Sequence, residues 1–342
     1  MSLRKIVESA THHGPSELNR IDYLDGWRGI AIFLVLVSHF MQFNYINFGR
    51  MGVDIFFVLS GMLMANILFV KKVSLTTFYK RRISRIFPVF FIFLSSVSII
   101  SWFFTLSEEH SNYFYNLLFI RAYWPVEPNF TNSGLPLGHL WSLNVEEHSY
   151  ILLSVFTVIP FIKNKPYLPI LVLGLASVSL HIIYSQYPSI ASDNYGYKTE
   201  IVAKFILLSA GYFLIKDKFE KYISKWLPII TLLTAFLCYS KLNQHFPVLK
   251  VLHPFLLAFT VNHLNLTPDF FKKMLCFRPL RLLGLWSFSI YLWQQPLYYY
   301  VTKGGDAFTL IGLILMLLSI GIGAASFYWI ENPTRKHLNK NW

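Results

Sequence analysis

The chain has 342 residues, of which 54% are hydrophobic, 18% aromatic and only 14% charged. A soluble domain carries about 25% charged residues, so this composition excludes disorder, a collagen-like repeat and an ordinary soluble enzyme. The net charge of +13 falls in short blocks between apolar runs, which is the pattern of membrane topology and not of nucleic-acid binding. The fold class is therefore an all-α integral membrane protein with the lipid bilayer, and no nucleic acid, as its partner. Two cysteines, Cys238 and Cys276, supply neither a disulfide scaffold nor a four-ligand zinc site, and no metal or bound cofactor is expected.

A bilayer core of ~30 Å takes about 20 mostly apolar residues per helix. Ten segments qualify: 29–46, 53–70, 86–106, 141–162, 167–187, 200–215, 226–241, 248–264, 282–301 and 307–330. The first twenty residues are polar and no small-residue cleavage site follows the first apolar run, which is expected to stay as a signal anchor. Residues 1–19 read as a tail, 20–336 as one membrane domain and 337–342 as a second tail, with no soluble domain attached. An even number of spans puts both termini on one side. Of the 30 Lys and Arg, Arg50, Arg121, Lys198, Lys241, Lys250 and Lys303 then lie on the other side and Lys204 within a span. The remaining 23 share the side of the termini, which the positive-inside rule makes cytoplasmic. The one long connection, 107–140, is outside; long irregular loops are usually functional or disordered.

Ionisable groups inside spans are costly and mark functional sites by default. In the first span Arg28 and His39 are eleven residues apart, a helical advance of about 16 Å and three turns plus about 20°. Both side chains thus share one face, with Arg28 at the cytoplasmic mouth. Asp54 enters the second span about one turn below the outer boundary, either as a helix-start cap or as a site residue. Arg82 and Arg85 stand one turn apart before the third span, where Pro88 suits the first turn of its helix. Positive-inside charge accounts for them, and so does bidentate phosphate binding. Glu146 and Glu147 lie about 8–10 Å into the fourth span; adjacent positions point about 100° apart, so one of the two faces His39. Gln294 and Gln295 sit about 20 Å above Arg281 in the ninth. His39, Asp54, the glutamates and the glutamines are all expected to meet in the outer half. There a carboxylate would orient His39 as a general base. Residues 107–140 and Tyr298 to Tyr300 are candidates for ligand contact on the outer side, the tyrosines also for an interfacial aromatic belt.

LDGWRGIAIFLVLVSH (24–39) resembles the Arg-x10-His signature of the membrane acyltransferase-3 family, the O-acetylases of bacterial surface glycans. GVDIFFVLSGMLMA (52–65), Arg82-Ile-Ser-Arg85, LWSLNVEEHSYIL (140–152), LGLWSFSIYLWQQPL (283–297) and WIENPTRK (329–336) are similar to its further signatures, in the same order. The resemblance implies transfer of an acyl group, usually acetyl, from cytoplasmic acyl-CoA to a hydroxyl of a cell-surface or lipid-linked glycan. It also implies a place in the bacterial inner membrane. Acetyl-CoA is then a co-substrate, held by Arg28, Arg82 and Arg85. His39 is the base, Glu146 or Glu147 its partner, and Gln294, Gln295 or Trp141 a donor to the oxyanion. Two positions depart from the family pattern: His148 stands where it has Gln, and Gln294 where it has His. The fused extracytoplasmic domain of some members is missing, as in a stand-alone member. A transporter or flippase for lipid-linked saccharides would share the many spans and the polar groove, and label transfer from acetyl-CoA to a saccharide separates the two.

Overall fold

The computed structural model describes residues 22–41, 43, 45–103, 112–124, 135–160, 162–192, 194–241, 248–304 and 310–341. The N-terminal tail and much of the 107–140 connection lie outside them. Among the described residues every regular element is helical, apart from a single bridge between Ile46 and Ser240.

In chain order the helices begin with α1 (Asp22–Met41), α2 (Phe48–Ala65, continued by a π-helix Asn66–Val70) and α3 (Leu75–Phe103). There follow α4 (Asn112–Leu117), α5 (Trp141–Val158), α6 (Tyr167–Gln186), α7 (Thr199–Val202) and α8 (Lys204–Phe213). Then come α9 (Leu227–Cys238), α10 (Leu249–Asn262), α11 (Asp269–Leu275) and α12 (Arg278–Gly304). Last, α13 (Leu310–Ser326) runs through a π-helix (Phe327–Glu331) into α14 (Asn332–Asn341).

Five of these runs are long and apolar enough to cross a membrane: α1, α2 with its π turn, α3, α6 and 310–341. The protein is thus a multi-pass integral membrane protein. The other five expected spans differ for physical reasons. The 200–215 segment breaks at Ala203 into α7 and α8, while α9 and α10 have only 12 and 14 residues. α5 and α12 are longer, at 18 and 27 residues, but carry the polar groups of the site.

α3 corrects an expectation about Pro88. The helix starts at Leu75, where Ser74 Oγ accepts from the Thr77 amide at 3.3 Å, so Pro88 lies well inside it. Arg82 and Arg85 consequently sit on a formed helix instead of a basic loop.

α1 lies between α12 and α2, and α2 packs in turn on α8. The α1–α12 contact is backbone-close: a Cβ on Gly29 would overlap the Leu280 carbonyl oxygen, and one on Gly284 that of Asp25. Small residues permit such approaches in membranes, where dispersion and not water exclusion joins helices. Trp27, Ile32, Leu36, Phe57, Phe205 and Ile290 fill the interior. Ile99, Ile100, Trp102 and Phe103 on α3, and Leu310, Ile311, Ile314 and Leu317 on α13, point outward as a lipid-facing surface does. On the connection between α4 and α5, burial and then the hydrogen bond to Glu200 (2.6 Å) push the Tyr123 phenol up to about 12.

Candidate active site

α1 and α12 run side by side in the same direction. Gly29 meets Leu280 near their starts, and His39 meets Gln294 near their ends. Between α1, α2, α3, α5 and α12 lies a cavity of about 250 Å³. Its polar lining includes Arg28, Arg82, Arg85, Glu146, Ser142 and Tyr291.

The arginines gather at one end. Arg28 Nη1 donates to Asp25 Oδ1 at 3.2 Å. Arg82 Nη2 donates to Glu147 Oε1 at 2.9 Å, and its guanidinium lies 3.5 Å from the ring centre of Tyr150. Glu146 Oε1 accepts from Ser60 Oγ at 2.7 Å. Arg85 is in electrostatic reach of Glu146 and of the buried Glu331, whose carboxylate accepts from Ser289 Oγ at 2.7 Å. The arginines, with Arg81 beside them in the lining, are thus matched by Asp25, Glu146, Glu147 and Glu331, and it is their guanidinium forks, not a net charge, that suit a phosphorylated ligand.

Beyond Tyr291, which lines the cavity, α12 carries Gln294 and Tyr298 at one-turn spacing on the same face. His39 Nδ1 lies 2.8 Å from Gln294 Oε1, and the Tyr298 ring stacks on the imidazole at 4.1 Å. The amide of Gln294 sets the tautomer. Its NH2 group donates to the Tyr291 carbonyl and to Gln295 Oε1, so its oxygen faces His39 and Nδ1 must carry the proton. Nε2 keeps its lone pair and lies on the side of Gly49, where a Cβ would stand 3.8 Å away. A neutral imidazole fixed in this way is a general base ready for use. Next to this face, His139 is buried against Phe93 and Tyr291, and its carbonyl accepts from Tyr291 Oη at 2.8 Å.

A family model for an acyltransferase domain matches residues 21–329, most of the chain. The chain belongs to this acyltransferase family. It is 28% identical, over 92% of its length, to the peptidoglycan O-acetyltransferase OatA of Listeria monocytogenes. It is 26% identical, over 92%, to the O-acetyltransferase OatA of Staphylococcus aureus. Over 95% of its length it is 27% identical to a putative peptidoglycan O-acetyltransferase, YrhL, of Bacillus subtilis. It spans 56–57% of the length of these relatives. No solved structure matches the chain.

In this family member the expected site residues divide into three places. Arg28, Arg82 and Arg85 share the cavity mouth as the spacing suggested. The glutamates join them there and not His39, which corrects the expected carboxylate–histidine pair. The error lies in depth. Ser60, the partner of Glu146, is about 18 Å along α2 from Phe48, whereas Glu146 is only about 8 Å along α5. α5 therefore starts about 10 Å deeper than α2, and Glu146 ends about 16 Å along the axis from Gly49, the neighbour of His39. Gln294 takes the place intended for a carboxylate.

Asp54 belongs elsewhere. It accepts two bonds from Arg50 Nε at 3.1 Å and one from Tyr239 Oη at 2.9 Å, on a face of α2 about 140° round from Gly49. Trp141 packs on Phe57 and Tyr197 beneath the Arg50 guanidinium and is not in the cavity lining. His148, at the position where the family has Gln, pairs with Thr199 Oγ1 at 2.8 Å. Sequence reasoning passed over His139, Tyr150, Tyr291 and Glu331. Tyr150, Tyr291 and Glu331 lie inside quoted motifs and His139 one residue before one, and only the packing separates them from their neighbours.

Proposed function

We propose that this protein is a membrane O-acetyltransferase, taking an acetyl group from acyl-CoA on the cytoplasmic side and passing it to a sugar hydroxyl on the outer side. The observation that carries the reading is the cavity itself. Its lining runs from Arg28, Arg82 and Arg85 to Tyr291, one turn of α12 before the Gln294 that holds His39, and His39 stands about 16 Å along α1 from Arg28. The CoA phosphates sit at Arg28, Arg82 and Arg85, and the pantetheine arm runs up the cavity towards His39. His39 Nε2 takes the proton of the acceptor hydroxyl as its oxygen attacks the thioester carbonyl. The C–O bond forms and the carbonyl pair moves to oxygen. Collapse breaks the C–S bond, and the proton returns from His39 to the departing sulfur.

In this reading the chain crosses the bilayer ten times, by tilted, broken and short helices as well as the five long ones, with both termini in the cytoplasm. The charge asymmetry supports that orientation. Residues 20–336 act as one domain in a bacterial cytoplasmic membrane. The acceptor is a cell-surface glycan, and the relatives named for peptidoglycan make N-acetylated muramyl glycans the first to try. Purified protein in liposomes, given acetyl-labelled CoA and soluble muropeptides, should place alkali-labile label on the sugar. Label transfer no faster than in protein-free liposomes would reject the reading.

A further inference from the structure

His139 is 5% exposed, and both of its ring nitrogens are buried without a hydrogen-bond partner. Other buried polar atoms of the described residues are unpaired, such as Trp27 Nε1 and His263 Nδ1, but no other side chain has both of its nitrogens in that state. Buried polar groups are as a rule satisfied, and an orphaned pair is costly enough to need a reason. The residue is not loose. Its carbonyl accepts from Tyr291 Oη at 2.8 Å and from Ser142 Oγ at 3.2 Å, which pins the turn before α5 to α12. Ser142 and Tyr291 both line the cavity, and Gln294, which holds His39, is one turn beyond Tyr291. His139 and His39 are in electrostatic reach of one another. The imidazole thus lies behind the part of the cavity wall that Ser142 and Tyr291 form, packed between Phe93 and Tyr291.

Two of the donors nearest His39 are already engaged. The Gln294 amide gives its hydrogens to the Tyr291 carbonyl and Gln295, and the Tyr291 hydroxyl is bonded to His139 and Ser142. The His139 ring, behind Ser142 and Tyr291 in the cavity wall, holds an N–H that no partner engages. We propose that His139 is a second catalytic histidine, which donates its ring N–H to the thioester carbonyl oxygen as that oxygen turns anionic. This rests on the acetyl-transfer reading above. No proton is transferred by His139; the hydroxyl proton goes to His39 and then to sulfur, and His139 only holds the oxyanion while the C–O bond forms and the C–S bond breaks.

Phenylalanine and glutamine variants test this in liposomes with labelled acetyl-CoA and muropeptides, alongside the melting temperature of each. Phe fills the same space and removes the two unpaired nitrogens, so His139→Phe should melt at or above the parent temperature. Its kcat should nevertheless fall by about 10²–10³, the cost of one oxyanion donor, with KM for acetyl-CoA within about threefold. His139→Gln, which keeps an N–H at similar reach, should recover at least tenfold over Phe. A His139→Phe protein with near-parental kcat overturns the proposal. So does one whose melting temperature, KM and kcat all deteriorate together, or a Gln variant no better than Phe, since either result marks a packing role. A parent that transfers no label sinks the acetyl-transfer reading itself, and this inference with it.

Discussion

His39 and Gln294 show how one hydrogen bond sets a reactive state. The amide oxygen on Nδ1 performs the orienting task of the carboxylate in a catalytic triad without adding a charge. His39→Ala should reach the membrane at parental abundance and lose 10²–10⁴-fold in turnover. Gln294→Leu should lose on the order of 10²-fold in kcat with KM for acetyl-CoA unchanged, because the ring loses its anchor and not its chemistry. Near-parental turnover in His39→Ala would remove the general base from this mechanism. At the mouth, the Arg82–Glu147 pair makes an opposite claim. Arg82→Ala should raise KM for acetyl-CoA by about 10–100-fold, as expected for a lost charged hydrogen bond, with Lys a partial rescue for want of the planar fork. Glu147→Gln should likewise raise KM and spare kcat. A Glu147→Gln enzyme with normal KM and collapsed kcat would return that glutamate to the chemistry.

Between elements, the decisive contact is α1 on α12. Gly29 and Gly284 let the two backbones touch, and the register so fixed sets His39 beside Gln294 ten residues further along each helix. At Gly284 the obstacle to a side chain is the Asp25 carbonyl, which no rotamer change can move. Gly284→Ala should therefore cost about 1–3 kcal/mol of stability, the usual penalty of overpacking. It should also lower turnover more than abundance, since a shift at one end of the pair is carried to His39 at the other. Thermal melts and rates on the purified variant check both; an unchanged melting temperature would show that the helices can part at no cost. The two π-helices belong to this scale too. The second turns Glu331 inward to Ser289 and the arginine mouth, in keeping with the frequency of π segments at functional sites.

For the whole molecule the consequence is sidedness. On the proposed reading an anionic donor is met by arginines on one side and an acceptor by His39 near the other, so the transfer joins two compartments. A reporter active only in the cytoplasm should be active when fused after Trp342 or within 216–225, and silent within 107–140. Activity at 107–140 would invert the orientation and exchange the donor and acceptor sides.

Composition and periodicity alone decided that the chain is a helical membrane protein, because a bilayer rewards apolar runs of fixed length whatever their neighbours are. The motif spacings likewise placed Arg28 with Arg82 and Arg85, and His39 at the opposite end, since distances along a single helix follow from 1.5 Å per residue. What spacing does not carry is the height at which one helix starts relative to another. The deep start of α5 took Glu146 and Glu147 from the histidine to the arginines, and the N-terminal extension of α3 put Arg82 on a helix that reaches them. Azimuth is equally a matter of packing: it sent Asp54 to Arg50 and Tyr239, and turned Tyr298 from a ligand-contact candidate into a plate against His39. His139 was in plain view in the sequence as one more histidine near an apolar run. Only its burial without partners, behind the cavity wall that Ser142 and Tyr291 form, distinguishes it, and burial is a property of the assembled helices.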